Sequence, residues 1–135
     1  MYLLDTNVVS ELRRTRPHGG ALAWLTSLRE GEAHICAVTA GEIQAGIQRT
    51  RKRDPAKAAH IENWLGEVER AYEFLPVDAA AFREWARLMH GKSDDLIEDA
   101  MIAAVALTRG LVVATRNVKD FAVFGVNVVD PFAPR

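Results

Sequence analysis

The chain has 135 residues, of which 49% are hydrophobic and 26% are charged, and its formal net charge is −1. This length predicts a single domain, residues 1–135, and the near-neutral charge excludes a globally basic nucleic-acid-binding protein. Any RNA or DNA partner would therefore have to bind local basic patches. No apolar run approaches the ~20 residues that span a bilayer, no secretory leader is visible, and the single cysteine, Cys36, has no pairing partner. These features predict a cytoplasmic protein without a membrane partner.

The first element is a short apolar run that ends at an acidic residue. Residues 2–4 predict a buried strand, which a tight turn at Thr6 and Asn7 connects to a helix over 8–12. Asp5 stands at the carboxyl end of that strand. Ligands of open α/β sheets bind at this edge, so Asp5 is the first candidate site residue.

The next stretch predicts a helix, a strand and a second helix. A basic turn precedes the helix over 21–30, which Gly31 is expected to end, and a strand over 34–38 follows. Thr39 and Glu42 match the capping-box pattern at the start of the second helix, so Glu42 is either a capping residue or a site residue. The basic residues lie mainly in two clusters: Arg13, Arg14 and Arg16, then Arg49, Arg51, Lys52, Arg53 and Lys57.

The middle of the chain alternates helix, strand and helix. Asp54 and Pro55 predict the start of a helix that runs to about residue 72. A strand over 74–77 is interrupted by Pro76, which places it near a sheet edge. Asp78 is expected to cap another helix, which ends at Gly91.

The most informative helix begins at residues 93–95 and becomes apolar on all sides over 100–107. A helix without a polar face is buried, and Asp99 stands directly before this run. A buried carboxylate without a partner costs several kcal/mol or shifts its pKa, and a metal ion removes that cost. After Gly110, a strand over 111–115 ends in Thr115, Arg116 and Asn117, a turn covers 118–121, and a last strand covers 127–129.

Asp5, Glu42 and Asp99 are therefore three acids that neighbouring parallel strands would bring to one edge. The alternation of strands and helices predicts such a parallel sheet. Carboxylates without nearby His or Cys are hard oxygen ligands, which suit Mg²⁺ or Mn²⁺ and serve phosphate chemistry.

Four motifs in order along nearly the whole chain resemble the PIN domain, and more narrowly the VapC/FitB-like ribonuclease toxins of type II toxin–antitoxin systems. They are Asp5-Thr6-Asn7, Thr39-x-x-Glu42, Asp99-x-x-Ile102-Ala103-Ala104 and Thr115-Arg116-Asn117. The resemblance implies an α/β fold with a central parallel sheet in strand order 3-2-1-4-5 and helices on both sides.

The resemblance also implies function. It implies a Mg²⁺-dependent endoribonuclease, with Mn²⁺ as a possible substitute, in which a metal-activated water attacks the RNA phosphodiester. Asp5, Glu42 and Asp99 are then catalytic, metal-binding acids, and Thr6, Asn7, Thr115 and Arg116 are candidate substrate-binding residues. The implied partners are an RNA substrate, a second copy of the chain and a cognate DNA-binding antitoxin. The antitoxin's C-terminal segment would occupy a groove near the active site, and DNA would be reached only through the antitoxin.

One position departs from the family pattern. Many members have a fourth acid where this chain has Asn117, and Asp120 follows three residues later. We expect Asn117 to contribute to catalysis by accepting from a metal-bound water, and Asp120 to satisfy local backbone donors.

Two other functions compete with the nuclease. A haloacid-dehalogenase-like phosphotransferase needs a second Asp two residues after Asp5, where this chain has Asn7. A non-catalytic partner of a DNA-binding repressor would leave three separated carboxylates unexplained.

Overall fold

The computed structural model describes residues 1–134. Its centre is a five-stranded sheet in the order β3-β2-β1-β4-β5, in which every neighbouring pair is parallel. The predicted α/β fold and strand order are therefore confirmed. The strands are β1 (Tyr2–Leu4), β2 (Ala33–Cys36), β3 (Glu73–Leu75), β4 (Val112–Ala114) and β5 (Val128–Val129).

Helices connect these strands and cover both faces of the sheet. They are α1 (Thr6–Glu11), α2 (Gly19–Ser27), α3 (Ala37–Arg51), α4 (Pro55–Ala71), α5 (Ala79–Met89), α6 (Ile97–Arg109) and α7 (Val118–Ala122), with a 3₁₀ turn at Asp94–Leu96. Two of the predicted caps are confirmed, because Asp54 accepts from the Lys57 N–H at 3.1 Å and Asp78 from the Ala81 N–H at 3.0 Å. Over residues 1–134, no helix combines the length and the apolar character needed to cross a lipid bilayer.

The two faces of the sheet bury separate hydrophobic layers. Leu3 contributes to the layer formed with α5, α6 and α7, whereas its neighbour Leu4 contributes to the layer formed with α1 to α4. This alternation follows from the two-residue period of a strand, and both side chains are fully buried. Because both faces are covered, the exposed carboxyl edge of the sheet is left for a site.

Several element boundaries differ from the prediction. Helix α1 begins at Thr6 with no intervening turn, because the Asp5 carboxylate itself accepts from the Thr6 N–H at 2.8 Å. Helix α2 begins at Gly19, where the His18 ring accepts from the Ala21 N–H at 3.1 Å, and it ends at Ser27. Gly31, with φ of 84°, therefore lies in the connection to β2 and does not end the helix.

The buried part of α6 is shorter than predicted. Ala100 and the run from Ile102 to Ala106 are fully buried, but Leu107 is 37% exposed. The helix ends, as predicted, at Gly110, which adopts the left-handed conformation with φ of 67°.

Candidate functional site

Asp5 is the centre of the polar network at the carboxyl edge of the sheet. It follows β1, the middle strand, and only 4% of the residue is exposed. Besides its bond from the Thr6 N–H, its carboxylate accepts from the Thr115 hydroxyl at 2.8 Å and from the Asn7 amide at 3.2 Å. Burial is the largest influence on this carboxyl and raises its pKa, which the hydrogen bond from Thr115 partly opposes. Asp5 is therefore held rigidly between α1 and the end of β4.

Glu42 joins this network through a neighbouring hydroxyl. The Thr6 hydroxyl donates to Glu42 Oε1 at 2.7 Å and lies 2.9 Å from the Thr39 hydroxyl. Since Thr6 has one hydroxyl proton, Thr39 must donate to Thr6. Burial and the negative charge of Asp5 both raise the pKa of Glu42, with burial the larger cause.

The predicted capping box at Thr39 and Glu42 is wrong. Helix α3 follows β2 directly and begins at Ala37, with Cys36 at the N-cap position. Thr39 is therefore fully buried inside the first turn, and Glu42 lies one turn further along the helix. This earlier start frees Glu42 from a capping role and directs it to the network around Asp5.

Asp99 lies in the first turn of α6, and its carboxyl is half-buried among other acids. Its pKa is raised to about 6, first by burial and then by the negative charges of four carboxylates: Asp5, Asp120, Glu42 and Glu98. The acids of three helices and one strand end therefore share a single electrostatic field. Glu98, which directly precedes Asp99, was not predicted as a site residue.

The acids converge without forming a closed ligand cage. Within residues 1–134, no three Asp, Glu, His or Cys side chains are clustered tightly enough to coordinate one bare ion. The strong mutual effect on pKa is compatible with this spacing, because a Coulomb interaction reaches well beyond a metal–oxygen bond of ~2.1 Å. Mg²⁺ keeps several waters and uses one or two carboxylates, so the donor chemistry of this cluster fits that ion.

The two candidates for a fourth position differ from the expectation. Asn117 donates its backbone N–H to the Thr115 hydroxyl at 2.9 Å, while its side chain is exposed and bonds to nothing else within 1–134. The Asp120 carboxylate caps no backbone donor in the same range, so the predicted local role is not observed. Instead its charge raises the pKa of Asp5 and Asp99.

The reason is a helix where a turn was predicted. Residues 118–122 form α7, and one helical turn brings residue 120 back to the side of residue 117. The spacing of three residues between Asn117 and Asp120 was the signal that could have identified Asp120.

The four candidate substrate-binding residues have unequal roles. The hydroxyls of Thr6 and Thr115 are engaged with Glu42 and Asp5, and Asn7 connects Asp5 to the Arg116 N–H, which donates to Asn7 Oδ1 at 3.3 Å. Thr6, Asn7 and Thr115 therefore brace the acids. Only the Arg116 side chain extends from the site onto an exposed surface.

Two open clefts flank Glu42 and contain basic residues. One, of about 220 Å³, lies between α1, α3 and α4 and is lined by Arg13 and the apolar Ile43, Ile61 and Trp64. The other, of about 390 Å³, is lined by Arg49 and Glu98. The two predicted basic clusters thus each contribute one arginine beside the acids.

Comparison with known proteins identifies a family. A family model described as "PIN domain" matches residues 2–126. The chain is 33% identical to the VapC ribonuclease Y4jK of Sinorhizobium fredii, with 99% of both chains covered, and 31% identical to the toxin FitB of Neisseria gonorrhoeae, with 98% and 99% covered. The solved structure of FitAB bound to an IR36 DNA fragment matches 100% of this chain and 98% of that one, with a TM-score of 0.87 and 29% identity.

Proposed function

The chain belongs to the PIN domain family, and on that premise we propose that it is a divalent-metal-dependent endoribonuclease and the toxin of a type II toxin–antitoxin system. The observation that carries the proposal is the convergence of Asp5, Glu42 and Asp99 at the carboxyl edge of the sheet. Burial is the largest cause of their raised pKa values and nearby negative charges raise those values further. Carboxylates in such a setting are costly to ionise unless a cation compensates them, which supports the proposal. Full-length similarity to a protein named as a VapC ribonuclease supports RNA as the substrate.

Mg²⁺, or Mn²⁺ in its place, is the proposed cofactor, and Asp5, Glu42 and Asp99 would hold it directly or through metal-bound waters. When bound, such an ion would neutralise the acids, bind phosphate oxygens and lower the pKa of an attacking water. Asp120 adds a fourth negative charge, and Glu98 adds a fifth at the rim.

The chain's own residues prepare this site in three ways. The Thr115 hydroxyl and the Asn7 amide both donate to Asp5 Oδ2 and so hold the Asp5 carboxylate in one orientation. The Thr6 hydroxyl holds Glu42 in the same manner. Asp99 has no such bond within 1–134, which leaves its carboxylate free to turn toward an ion or accept a proton from water.

RNA would reach the site over local basic residues. Arg51 is already paired with Glu62 at 2.8 Å, whereas Arg13, Arg16 and Arg49 are exposed and their guanidinium groups make no ion pair within 1–134. We therefore place single-stranded RNA across Arg13 and Arg49, which flank Glu42. Charge reversal at these arginines should weaken RNA binding and flatten its dependence on salt concentration.

A cognate antitoxin is the proposed protein partner. The FitAB structure contains DNA, and this supports an antitoxin that binds DNA on behalf of the complex. The cleft lined by Ile43, Ile61, Trp64 and Arg13 has an apolar floor and a charged rim beside Glu42, which suits a peptide segment of that antitoxin. A homodimer is proposed on family membership and is tested by light scattering of the purified toxin.

A cleavage assay tests the proposed function. The protein, freed of antitoxin, is incubated with a labelled single-stranded RNA in Mg²⁺, in Mn²⁺ and in EDTA. Cleavage is expected with either metal, none in EDTA, and a loss of at least 100-fold in Asp5→Asn, on the scale of removing one charge-stabilising group. Glu69→Gln, an exposed acid on α4, is the matched control and should cleave normally. Cleavage that persists in EDTA or in Asp5→Asn would refute the metal mechanism.

A further inference from the structure

The exposed side chain of Arg116 packs its guanidinium group against an aromatic ring. Its guanidinium carbon lies 3.8 Å from the centroid of the Phe132 ring. Within residues 1–134, no carboxylate lies within ion-pair distance of this group, so its positive charge is not neutralised by the described chain.

Phe132 is held both through its backbone and through its ring. Its backbone N–H donates to Asp130 Oδ1 at 2.9 Å, which closes a tight turn, and its ring contacts the edge of the His18 ring at a centroid distance of 5.2 Å. His18 is anchored in turn, because its backbone N–H donates to the buried Glu11 carboxylate at 2.6 Å. The ring is also partly buried against the hydrophobic layer of α1 to α4, so Phe132 offers the guanidinium a packed surface.

Arg116 is also connected to the acid site through its backbone. It follows Thr115, whose hydroxyl bonds to Asp5, and its N–H donates to Asn7, whose amide bonds to the same carboxylate. The base of the side chain is thus fixed beside the acids, and its tip is fixed on Phe132.

Stacking leaves the chemistry of the guanidinium available. A cation–π contact uses the face of the group, whereas its N–H donors point outward in its plane and can bind a phosphate with two parallel hydrogen bonds. Pre-positioning lowers the entropy that Arg116 loses on binding. RNA approaching five carboxylates also needs a nearby positive charge to offset the repulsion.

We infer that Arg116 and Phe132 form a phosphate-binding subsite for single-stranded RNA beside the acids, in which Arg116 binds a backbone phosphate and Phe132 is the positioning residue. This inference rests on the proposed ribonuclease function. It adds the segment 130–132 to the active site, a part of the chain that lies beyond the matched family region 2–126.

A double-mutant cycle tests the inference by RNA binding alone. Binding of a labelled single-stranded RNA is measured in EDTA, so that the RNA stays intact, for the unsubstituted chain, Phe132→Leu, Arg116→Ala and the double variant. Phe132→Leu should weaken binding roughly two- to fivefold, the range for an exposed cation–π contact. Arg116→Ala should weaken it further and reduce the slope of log K against log salt by about 0.7. In the double variant, Phe132→Leu should have no additional effect.

Controls separate positioning from folding. Phe132→Tyr keeps the ring and should restore normal binding, and each variant's melting temperature is compared with that of the unsubstituted chain. Phe82→Leu and Arg87→Ala, both exposed positions of α5, should leave binding unchanged. With metal present, Phe132→Leu should raise KM with little change in kcat.

The outcomes distinguish the subsite from the proposed function. Normal binding by Phe132→Leu, or an equal loss on this substitution with and without Arg116, overturns the subsite while the ribonuclease proposal stands. An unsubstituted chain that neither binds nor cleaves RNA overturns both.

Discussion

At the scale of single residues, Asp5 and Asp99 are acids of two different kinds. Asp5 accepts three hydrogen bonds and caps α1, so its charge also contributes to the fold. Asp99 accepts none within the described 134 residues, and burial, followed by the negative charges of its neighbours, raises its pKa to about 6. Substitution of Asp99 therefore isolates the effect of charge, whereas substitution of Asp5 also removes a structural anchor.

The raised pKa of Asp99 predicts a pH dependence of stability without metal. Between its reference pKa of 3.8 and about 6, the folded chain keeps a proton on Asp99 that the unfolded chain has lost. Folded stability should therefore fall as pH rises through this window. Asp99→Asn should remove that part of the loss and stabilise the metal-free protein at pH 7.5 by about 1 kcal/mol, after allowance for solvent screening.

Urea unfolding at pH 4.5 and pH 7.5 in EDTA measures this difference. Asp94→Asn, an exposed acid in the adjacent 3₁₀ turn, is the control and should follow the unsubstituted chain at both pH values. A stability difference between Asp99→Asn and the unsubstituted chain that is the same at both pH values would contradict the prediction.

A second residue-scale prediction concerns Asp120 and Asn117. Because Asp120 shares the field of Asp5 and Asp99, Asp120→Asn should weaken the dependence of cleavage on Mg²⁺ and lower the rate, on the order of 10–100-fold. Asn117→Ala should lower it less, since that side chain is exposed and makes no bond to the acids. Cleavage rates of both variants over a Mg²⁺ titration measure the two effects. A larger loss of rate in Asn117→Ala than in Asp120→Asn would make Asn117, and not Asp120, the fourth residue of the site.

At the scale of elements, the direct junction of β2 with α3 decides where Glu42 lies. The sequence pattern predicted the strand and the helix correctly but placed the helix start at Thr39, because a Thr three residues before a Glu is also a capping signal. In the structure, the partner of Glu42 is the Thr6 hydroxyl and not the backbone at Thr39, and Thr6 lies 36 residues from Glu42 in the chain. Contacts over that distance leave no local pattern, and the same holds for the bond between Asp5 and Thr115.

The connection between α1 and α2 depends on a buried acid, Glu11, for which the sequence pattern predicted no role. Glu11 is 5% exposed, and its carboxylate accepts from the backbone N–H of His18 at 2.6 Å. Glu11→Ala should leave that N–H unsatisfied and lower the free energy of unfolding by about 1–3 kcal/mol. Glu11→Gln should cost less, because an amide oxygen can still accept.

Urea unfolding of the two Glu11 variants checks this prediction. Arg14→Ala is the matched control, because the Arg14–Glu11 contact is long, at 3.5 Å, and the arginine side chain is 64% exposed. If Glu11→Ala were as stable as Arg14→Ala, the hydrogen bond to His18 would not hold this connection.

At the scale of the whole molecule, the parallel sheet converts distant residues into one site. The alternation of apolar runs and amphipathic helices was enough to predict parallel strands, and parallel strands place all carboxyl ends at one edge. That is why Asp5, Glu42 and Asp99 could be grouped from sequence although the first and the last lie 94 positions apart. Asp120 was not predicted as a site residue, because its position depends on a five-residue helix whose sequence has too few residues to show a helical period.

The same convergence predicts that a divalent metal stabilises the fold as a whole. The metal-free chain keeps mutually repelling carboxylates together, and an ion that binds only the folded state stabilises it by mass action, by ~2.7 kcal/mol at 100 times its Kd. For a domain of this size, that corresponds to a rise in melting temperature of roughly 5–10 °C. Mg²⁺ or Mn²⁺ should produce the rise, and EDTA should reverse it.

Asp99→Asn makes this test specific to the cluster. The variant has lost a proposed ligand and part of the repulsion, so it should melt higher than the unsubstituted chain in EDTA and yet gain little when metal is added. Glu69→Gln, on the surface of α4, should show the full gain, which excludes a general effect of acid removal. An equal metal-induced rise in Asp99→Asn and in the unsubstituted chain would mean that the ion binds elsewhere, and the convergent acids would then not be the metal site.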